Sequence, residues 1–354
     1  MLRTKLSGVA TGRVAVKALR AHGLKLLSEA KSRVAATMHR DEDADENDAF
    51  INENTAPGTT SSYLSINTQW ARYCEERGRE PIPAAPDLVM SFMRKLIKEG
   101  KSRSTVTKSV PGAIMALHRE HGLTSPTWDP RFKHMKRVAI RATPPPKRKK
   151  EVTPLMLVQM ALRVTPTSFL EVRDMFLFML MFKAMARQSE AINLRCSDID
   201  VVVVDGRQIL RVFFATHEPT KNDPERKGDC ILIDESDSAV TCLVAWYRLY
   251  MGLRGKHASD YIFVSGRQGV RRLGLQLPNN RLKVRCRQAG IEPAQYSSHS
   301  LRHGGATAAS VGGVLERLIK QHGRWKSDCV RVYIHDSLQI KLSVSRAMDG
   351  LMAC

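Results

Sequence analysis

The sequence has no hydrophobic run long enough to cross a membrane. Its most apolar stretch, residues 175–182, is 8 residues long, whereas a membrane-spanning helix needs about 20. Closely spaced cysteine pairs are also missing: the seven cysteines are far apart and never in C-x-x-C spacing. No segment repeats with a period of about 20 to 50 residues. We therefore exclude a membrane protein, a disulfide scaffold and a repeat protein, and expect a reduced intracellular compartment.

Acidic residues are too few to balance the basic ones. Lysine and arginine total 56 against 35 acids, which gives a formal net charge of +21 and a pI of about 10.0. The first forty residues hold nine bases and one acid, and residues 41–53 then hold seven acids. Because these two blocks nearly cancel, the surplus lies on residues 57–354. Such a surplus indicates a polyanionic partner, which is usually nucleic acid.

Residues 1–56 form a basic and then acidic leader that we expect to be disordered. Three interpretations of its basic part stay open. It can be a mitochondrial transit peptide, because it is Arg-rich and acid-poor. It can also be a basic flap that touches DNA, or a leader with no further role. The rest of the chain is long enough for two domains.

Residues 57–143 have the periodicity of an all-α module. Three runs of apolar residues at steps of three and four, each closed by a glycine, predict short amphipathic helices with brief loops. The runs are 63–73, 89–97 and 106–117. Cations on the exposed faces are either a solvated surface or a face for phosphates, and the net charge favours phosphates. The candidate DNA-binding residues of this module are Arg72, Lys101, Arg103 and Lys108.

A linker of prolines and cations follows at residues 144–152. Its three prolines predict a stiff extended spacer. Its cations can lie against a DNA backbone or serve as a nuclear import signal; they are Lys147, Arg148, Lys149 and Lys150. Thr153 and Pro154 have the pattern of a helix N-cap and first helical position. We therefore expect a second domain over 153–336 and a C-terminal helix or tail over 337–354.

The second domain is predicted to be mixed, so that the whole chain is mainly α with a small antiparallel β-sheet. The runs 199–204 and 208–214 flank Asp205-Gly206, a strong hairpin signal. A third short strand is predicted at 230–233. The predicted helices are 155–163, 171–186, 238–253, 281–289, 301–310 and 314–322. The apolar run within 171–186 predicts a helix buried on all sides.

The segment beginning at Ser297 holds the densest cluster of residues capable of chemistry. His299, Arg302 and His303 fall at i, i+3 and i+4, so one helix carries all three on the same side. A metalloprotease-like metal site is disfavoured, because the glutamate after the first histidine is missing and a permanently charged arginine would repel the ion. Two surface histidines on a helix remain the alternative for this segment by itself. We expect neither a metal nor a cofactor.

Taken with two other segments, this cluster resembles the tyrosine recombinase family, also called phage-integrase-type or λ-integrase-like recombinases. His299 and Arg302 match the family's H-x-x-R, with His303 in the frequent R-H form. The later His/Trp position falls on Trp325, and the family's nucleophile falls eight residues on, at Tyr333. The resemblance covers roughly residues 57–340.

Two upstream positions complete the resemblance. The family's first arginine lies at the end of an apolar helix in an A-R-x-S-E pattern, which here contains Arg187 and Glu190. The family's lysine lies between the second and third strands, where Lys221 is preferred over Lys227. Residues 323–325 read Gly-Arg-Trp where many bacterial members have Leu-Gly-His. This form resembles the eukaryotic mobile-element recombinases of the Crypton and DIRS groups.

The resemblance implies a helical core-binding domain, a catalytic domain, and a homo-tetramer on synapsed double-stranded DNA, held by an exchanged C-terminal helix. It also implies a site-specific recombinase or integrase that needs no cofactor. The implied catalytic residues are Arg187, Lys221, His299, Arg302, Trp325 and Tyr333, with Glu190 and His303 orienting them. The arginines would hold the phosphate oxygens and the tyrosine would carry the 3′ phosphate as a covalent intermediate.

Alternatives remain at this point. Taken singly, Arg187 and Glu190 can be a helix-surface ion pair, Trp325 can be plain core, and Tyr333 can be a packing residue. The same groups suit a type IB topoisomerase-like enzyme that relaxes DNA. A domesticated element protein that binds DNA without cutting it is a third possibility. We expect a nuclear location, with the mitochondrion as the alternative raised by the basic leader.

Overall fold

The computed structural model describes residues 2–37, 43, 46–47, 50, 57–214, 217, 227–255, 259–266, 271–332, 342 and 346–348. The chain divides into two compact units, Met1–Lys147 and Arg148–Cys354. Over the described residues it is mainly helical with one small antiparallel sheet, which confirms the predicted fold class. None of the helices in these ranges combines the length and apolarity needed to span a bilayer.

The first unit is all-α and packs around an aromatic centre. Its helices are α1 (Leu2–Thr37), α2 (Pro57–Glu75), α3 (Pro86–Lys98), α4 (Val110–Arg119) and α5 (Arg131–Ala142). The rings of Trp70, Tyr73 and Phe92 lie within 6.0 Å of one another, centroid to centroid. The buried indole of Trp70 donates to the carbonyl of Pro81 at 2.8 Å, so the ring is satisfied without water.

The structure differs from the expected disordered leader over residues 2–37, which form helix α1. Leu27, Ala30 and Val34 recur at steps of three and four and are buried in the core of the first unit. Gly23 allows close approach, because a Cβ there would lie 2.5 Å from the carbonyl oxygen of Thr68. The composition of this segment points to disorder because basic residues are frequent and acids are nearly absent. The short apolar stripe of α1 is nevertheless enough to dock it on α2.

The second unit is organised around one fully buried helix. Its helices are α6 (Pro154–Ala161), α7 (Phe169–Lys183), α8 (Gln188–Asn193), α9 (Leu243–Arg254), α10 (Leu277–Gln288), α11 (His299–Val311) and α12 (Glu316–His322). All residues of 175–182 are buried, as predicted. Helix α7 is apolar on every side along this run and is covered by α9, α10 and α11. It therefore forms the scaffold on which the site residues at its carboxyl end are fixed.

The sheet of the second unit is a three-stranded antiparallel meander. Its strands are β1 (Ile199–Val204), β2 (Arg207–Phe214) and β3 (Asp229–Asp234), in the order β1-β2-β3. Asp205 and Gly206 form the hairpin turn with φ values of 48° and 76°, which suits a two-residue loop with both central residues left-handed. Leu210, Val212 and Phe214 alternate along β2 and are buried. The predicted strands and their hairpin are thus confirmed.

Candidate active site

The site is built on the turn that ends α7. Helix α7 stops at Lys183, and Met185 takes a positive φ of 46°, so the chain reverses and α8 begins after Arg187. The sequence pattern predicted that the helix would continue to residue 186. The three-residue turn instead directs the carbonyl of Met185 toward α11 and leaves Arg187 as the residue that precedes α8.

Glu190 is the carboxylate at the centre of the site, and it is buried. Its Oε2 accepts the backbone N–H of Arg187 at 2.8 Å, and its Oε1 accepts the side-chain Nη1 of the same arginine. Burial acts to raise the pKa of Glu190, but the charges of Arg324 and Arg187, the backbone hydrogen bond from Arg187 and the charge of Arg302 together keep that pKa below its ordinary value. Glu190 is therefore ionised at neutral pH and orients Arg187, whose side chain remains 23% exposed.

Arg302 approaches the same carboxylate from α11. Its Nη1 lies 3.7 Å from Oε2 of Glu190 and donates to the carbonyl of Met185. Its Nη2 donates to the carbonyl of Gly323 at 2.6 Å. The side chain is fully buried, so its charge is held at a fixed position in a region of low dielectric constant.

Two glycines allow α11 to reach the turn. A Cβ on Gly304 would lie 1.9 Å from the carbonyl oxygen of Val152, and one on Gly305 would lie 2.1 Å from that of Phe182. A larger residue would push α11 away from Val152 at the first position and from the end of α7 at the second. The Gly-Gly pair that follows His303 is therefore part of the geometry that brings Arg302 to Glu190.

Trp325 covers the guanidinium of Arg302. The Cζ atom of Arg302 lies 4.1 Å from the centroid of the indole ring, which is the arrangement of a cation–π contact. The ring also packs in a cluster with Met185, Ala306, Ile319 and Val330. Trp325 is thus both a buried packing residue and a neighbour of the arginine pair, so the two interpretations of this residue are compatible.

His299 is the first residue of α11 and has its side chain partly open to solvent and its ring partly enclosed, and His303 is buried one turn later. Loss of solvation around its ring, followed by the positive charges of Arg302, His303 and Arg187, lowers the pKa of His299 to about 4. At neutral pH His299 is therefore an uncharged imidazole, which can accept a proton or a hydrogen bond.

Two of the predicted catalytic residues, Lys221 and Tyr333, lie outside the described residues. Lys227, the competing lysine, is exposed two residues before β3. Val330 lies on a short 3₁₀ segment, Asp328–Val332, and is fully buried against Trp325. The described chain thus runs through the site to the residue immediately before Tyr333.

Sequence reasoning gave no role to Arg324, which belongs to the same group. Its Nη2 lies 3.0 Å from Oε2 of Glu190, so three guanidinium groups surround one carboxylate. The surplus of positive charge creates an anion-binding environment. No feature of the sequence distinguishes Arg324 from a surface arginine, apart from its position next to Trp325. Groups of three or more side chains suited to a metal ion are absent from the described residues.

The candidate DNA-binding residues have different surroundings. Lys101 and Lys108 are exposed, whereas Arg72 is half-buried on α2. Arg103 is also half-buried and donates to the carbonyl oxygen of Thr143 at 2.6 Å. In the linker, Lys149 contacts the carbonyl of Ala294 at 2.5 Å. The linker's candidates, Lys147, Arg148, Lys149 and Lys150, are all exposed.

Comparison with known proteins places this geometry in a family. Residues 150–339, more than half of the chain, match the sequence profile of the phage integrase family. The tyrosine recombinase XerD of Chlorobaculum tepidum is 26% identical over 294 residues, covering 80% of this chain and 88% of that protein. An integrase/recombinase XerD homologue of Selenomonas ruminantium is 24% identical, covering 78% of this chain and 81% of that protein.

Solved structures share the fold at lower identity. The XerH site-specific recombinase in a post-cleavage complex with its difH substrate has a TM-score of 0.61 at 13% identity, covering 82% of this chain and 79% of that one. The Tn1549 transposon integrase bound to transposon right end DNA has a TM-score of 0.56 at 12% identity, covering 88% and 99%. The chain therefore belongs to the phage integrase family, and it is a tyrosine recombinase, an enzyme that breaks and rejoins DNA.

Proposed function

We propose that this recombinase cuts double-stranded DNA by attack of Tyr333 on a phosphodiester, forming a 3′-phosphotyrosine, and rejoins the ends in a new combination. The observation that carries the proposal is the convergence of Arg187 and Arg302 on one buried carboxylate, next to Trp325. Fixed guanidinium groups suit a phosphate whose negative charge increases in the transition state. This arrangement favours DNA cleavage over a DNA-binding protein that has lost its activity.

In this mechanism Arg187 and Arg302 hold the non-bridging oxygens of the scissile phosphate. Arg187 is the more exposed of the two and would meet the phosphate first. Arg302, held in place by its contacts with Met185 and Gly323, would direct its charge at a second phosphate oxygen. The indole N–H of Trp325 is a donor only, so it would hydrogen-bond a further oxygen.

In the proposed reaction a side chain of the protein accepts or donates each proton, so the reaction needs neither a metal nor a nucleotide cofactor. The phenol of Tyr333, with an ordinary pKa near 10, loses its proton to uncharged His299 or to His303 as its oxygen bonds to phosphorus. The bond from phosphorus to the 5′ oxygen breaks, and Lys221 gives that oxygen a proton. The phosphotyrosine ester retains the energy of the broken bond, so a free 5′ hydroxyl from another strand can reverse the step.

The position of Val330 supports Tyr333 as the nucleophile. Val330 is buried in the cluster that also contains Trp325 and Met185. Three residues of extended chain span about 10 to 11 Å at most, so the Cα atom of Tyr333 is confined to that distance from the Cα atom of Val330. This limit on the distance supports the proposal that Tyr333 can reach the phosphate held by the arginine pair.

We further propose a homo-tetramer in which the tail after residue 337 docks on a neighbouring protomer. An apolar groove of about 500 Å³ opens between the end of α7, β3, α11 and α12. Exposed apolar side chains lie on or beside it, namely Leu232, Val314, Leu315 and Leu318. The tail offers matching apolar positions: Leu338, Ile340, Leu342, Val344, Met348, Leu351 and Met352. A λ integrase structure at 17% identity, with a TM-score of 0.50, is a tetramer bound to a Holliday junction.

A trapping experiment tests the reaction. The full chain is incubated with a library of nicked duplexes of randomised sequence, in which the short fragment that carries the newly freed 5′ hydroxyl diffuses away after cleavage. We expect a denaturant-resistant protein–DNA complex that is absent with Tyr333→Phe, and sequencing its DNA identifies the target site. Persistence of the complex in the Tyr333→Phe variant would refute the proposal. Relaxation of supercoiled DNA by a monomer would instead favour a topoisomerase-like reaction.

The tail proposal has its own test. A variant ending at residue 337 and a Leu318→Arg variant are compared with the full chain by mass measurement on the identified duplex. We expect both to bind as monomers or dimers and the full chain to form tetramers. Tetramers in either variant would contradict tail docking.

We propose a nuclear location and an origin in a eukaryotic mobile element. The exposed cations of the linker support nuclear import. Burial of Leu27, Ala30 and Val34 speaks against a cleavable leader, because cleavage after them would expose the core of the first unit. A fluorescent fusion tests the location: nuclear signal lost on replacing the four cations by Gln agrees with it, and mitochondrial signal contradicts it.

A further inference from the structure

Arg324 occupies a backbone conformation that is unfavourable for it. Its φ of 57° lies in the left-handed region, where a side chain with a Cβ is disfavoured and glycine is not. The neighbouring Gly323 has no such conformation, because its φ is −81°. The contacts of the Arg324 side chain must therefore offset the strain of its backbone.

Those contacts join three parts of the second unit. Nη1 donates to the carbonyls of Ala184 and His322 at 3.1 Å and 3.0 Å. Nη2 donates to Oε2 of Glu190 at 3.0 Å. The guanidinium plane also lies over the ring of Phe214, with Cζ 4.0 Å from the centroid. Arg324 thus connects the turn before Arg187, the carboxylate, and the end of β2.

The proposed mechanism gives Arg324 no phosphate contact, since Arg187 and Arg302 hold the phosphate there. The side chain of Arg324 is 5% exposed, and burial lowers its pKa while the charge of Glu190 acts in the opposite direction. An arginine in such a place stays protonated and is stabilised by its carboxylate partner. Its charge compensates Glu190, so the carboxylate does not cancel the charge that the site presents to DNA.

Arg324 acts on Arg187 through Glu190, because both arginines bind the same oxygen of that carboxylate. Oε2 of Glu190 accepts both Nη2 of Arg324 and the backbone N–H of Arg187, while Oε1 accepts the side chain of Arg187. A carboxylate held on one oxygen by Arg324 has little freedom to rotate. Its other oxygen then fixes the direction of the Arg187 guanidinium. Removing Arg324 would also let Glu190 turn toward Arg302, 3.7 Å away.

We propose that Arg324 is a positioning residue of the recombinase. By holding Glu190 and the turn before Arg187, it keeps the guanidinium groups of Arg187 and Arg302 in the relative position that binds a phosphate. The proposal rests on the proposed function and adds a third guanidinium to it. Arg324 acts on the rate of cleavage and leaves the affinity for DNA unchanged, because in the proposed mechanism only Arg187 and Arg302 hold the phosphate.

The experiment compares Arg324→Gly and Arg324→Lys with the wild-type full chain on the duplex identified by trapping. Glycine suits the positive φ, so the substitution removes the side chain and the backbone strain together. We expect the single-turnover rate of covalent complex formation to fall by about 10- to 100-fold, the usual effect of losing an outer-shell partner. The dissociation constant for the intact duplex is expected to change less than about threefold, since the charge that the substitution removes is buried inside the protein. Lysine, which keeps the charge without the fork, should restore part of the rate.

A double variant separates positioning from a general effect. If Arg324 acts through Glu190, adding Arg324→Gly to Glu190→Gln lowers the rate no further, within about twofold. Arg207→Met, which breaks an exposed arginine–carboxylate pair with Asp234, is the matched control and should cleave normally. A wild-type rate for Arg324→Gly, a loss of affinity equal to the loss of rate, or independent effects with Glu190→Gln would each overturn the proposal. If Arg324→Gly does not fold, the lysine variant decides by the same two measurements. Failure of the wild-type chain to form any complex would instead refute the proposed function.

Discussion

Glu190 and the arginines around it determine what the site can do. A single carboxylate among three guanidinium groups leaves a net positive charge, and the hydrogen bonds in the cluster fix where that charge is directed. The forked shape of arginine matters as much as its charge, because each fork contacts two partners at once.

Replacement of Arg302 by lysine tests whether the two-pronged guanidinium is needed in addition to the positive charge. Lysine keeps the charge but cannot reach the carbonyls of both Met185 and Gly323, which the two Nη groups of Arg302 contact. We expect the single-turnover cleavage rate to fall by about 10²- to 10³-fold, as for the loss of one oxyanion donor. A rate close to that of wild type, in a variant with an unchanged thermal unfolding profile, would contradict the role of Arg302.

The lowered pKa of His299 predicts how the cleavage rate depends on pH. Since its pKa is lowered to about 4, the imidazole is uncharged from about pH 5 upward, and the cleavage rate should not titrate near the ordinary histidine pKa of about 6.5. Comparison of wild type with His299→Asn between about pH 5 and pH 8 checks this expectation. An inflection near the ordinary histidine pKa that the substitution abolishes would show that His299 titrates normally.

The residues of the site differ in how far sequence could predict their surroundings. The A-R-x-S-E and H-x-x-R patterns indicated Arg187, Glu190 and Arg302, which the structure brings together. The role proposed for Arg324 was not predictable, because it depends on a positive φ and on the Phe214 ring, which lies far away in the sequence. The roles of Lys221 and Tyr333 stay predictions, since both lie outside the described residues.

At the scale of the elements, the contact between α11 and the end of α7 sets the distance between the two arginines. Gly305 approaches the carbonyl of Phe182 so closely that a methyl group cannot fit without movement. We expect Gly305→Ala to lower the free energy of unfolding by about 1–3 kcal/mol and to slow cleavage, measured by urea unfolding and single-turnover kinetics.

Gly252 supplies the control for that substitution. It lies in α9, and a Cβ added there would have no other atom within 4 Å. Gly252→Ala should therefore stabilise the helix by about 0.5–1 kcal/mol and leave cleavage unchanged. Equal behaviour of the two alanine variants would contradict the close-approach role of Gly305.

Helix α1 is the element on which sequence reasoning and structure differ most. Its charges indicated disorder, but Lys31 and Arg33 pair with Glu120 and Glu80 on the first unit at 2.9 Å and 2.7 Å. The short hairpin turn of Asp205-Gly206, by contrast, was predictable because its signal is local. The three apolar residues that dock α1 were not predictable in the same way, because their burial depends on the surface of the first unit, which forms only on folding.

Two truncations test the docking of α1. Removal of residues 1–37 takes away the buried Leu27, Ala30 and Val34 and should lower the free energy of unfolding of the first unit by about 3–6 kcal/mol. Removal of residues 1–21 keeps this stripe and should leave stability close to that of the full chain. Equal stability of the two truncated chains in urea would contradict the docking.

At the scale of the whole molecule, the surplus of positive charge and the two-unit organisation suit an enzyme whose substrate is DNA. Composition indicated the polyanion and periodicity indicated the mainly helical fold, because both are properties of many residues at once. The target sequence depends on a few contacts with base edges, and the residues that make them look like any other polar residue in a sequence. Only the DNA recovered from a trapped complex can supply it.

The most direct measurement is mass spectrometry of the trapped complex after digestion with nuclease and trypsin. We predict a nucleotide adduct on the tryptic peptide of residues 332–341, with fragment ions that place the phosphate on Tyr333, the only tyrosine in that peptide. An adduct on another residue, or cleaved DNA without an adduct on this peptide, would show that Tyr333 does not attack the phosphate held by Arg187 and Arg302.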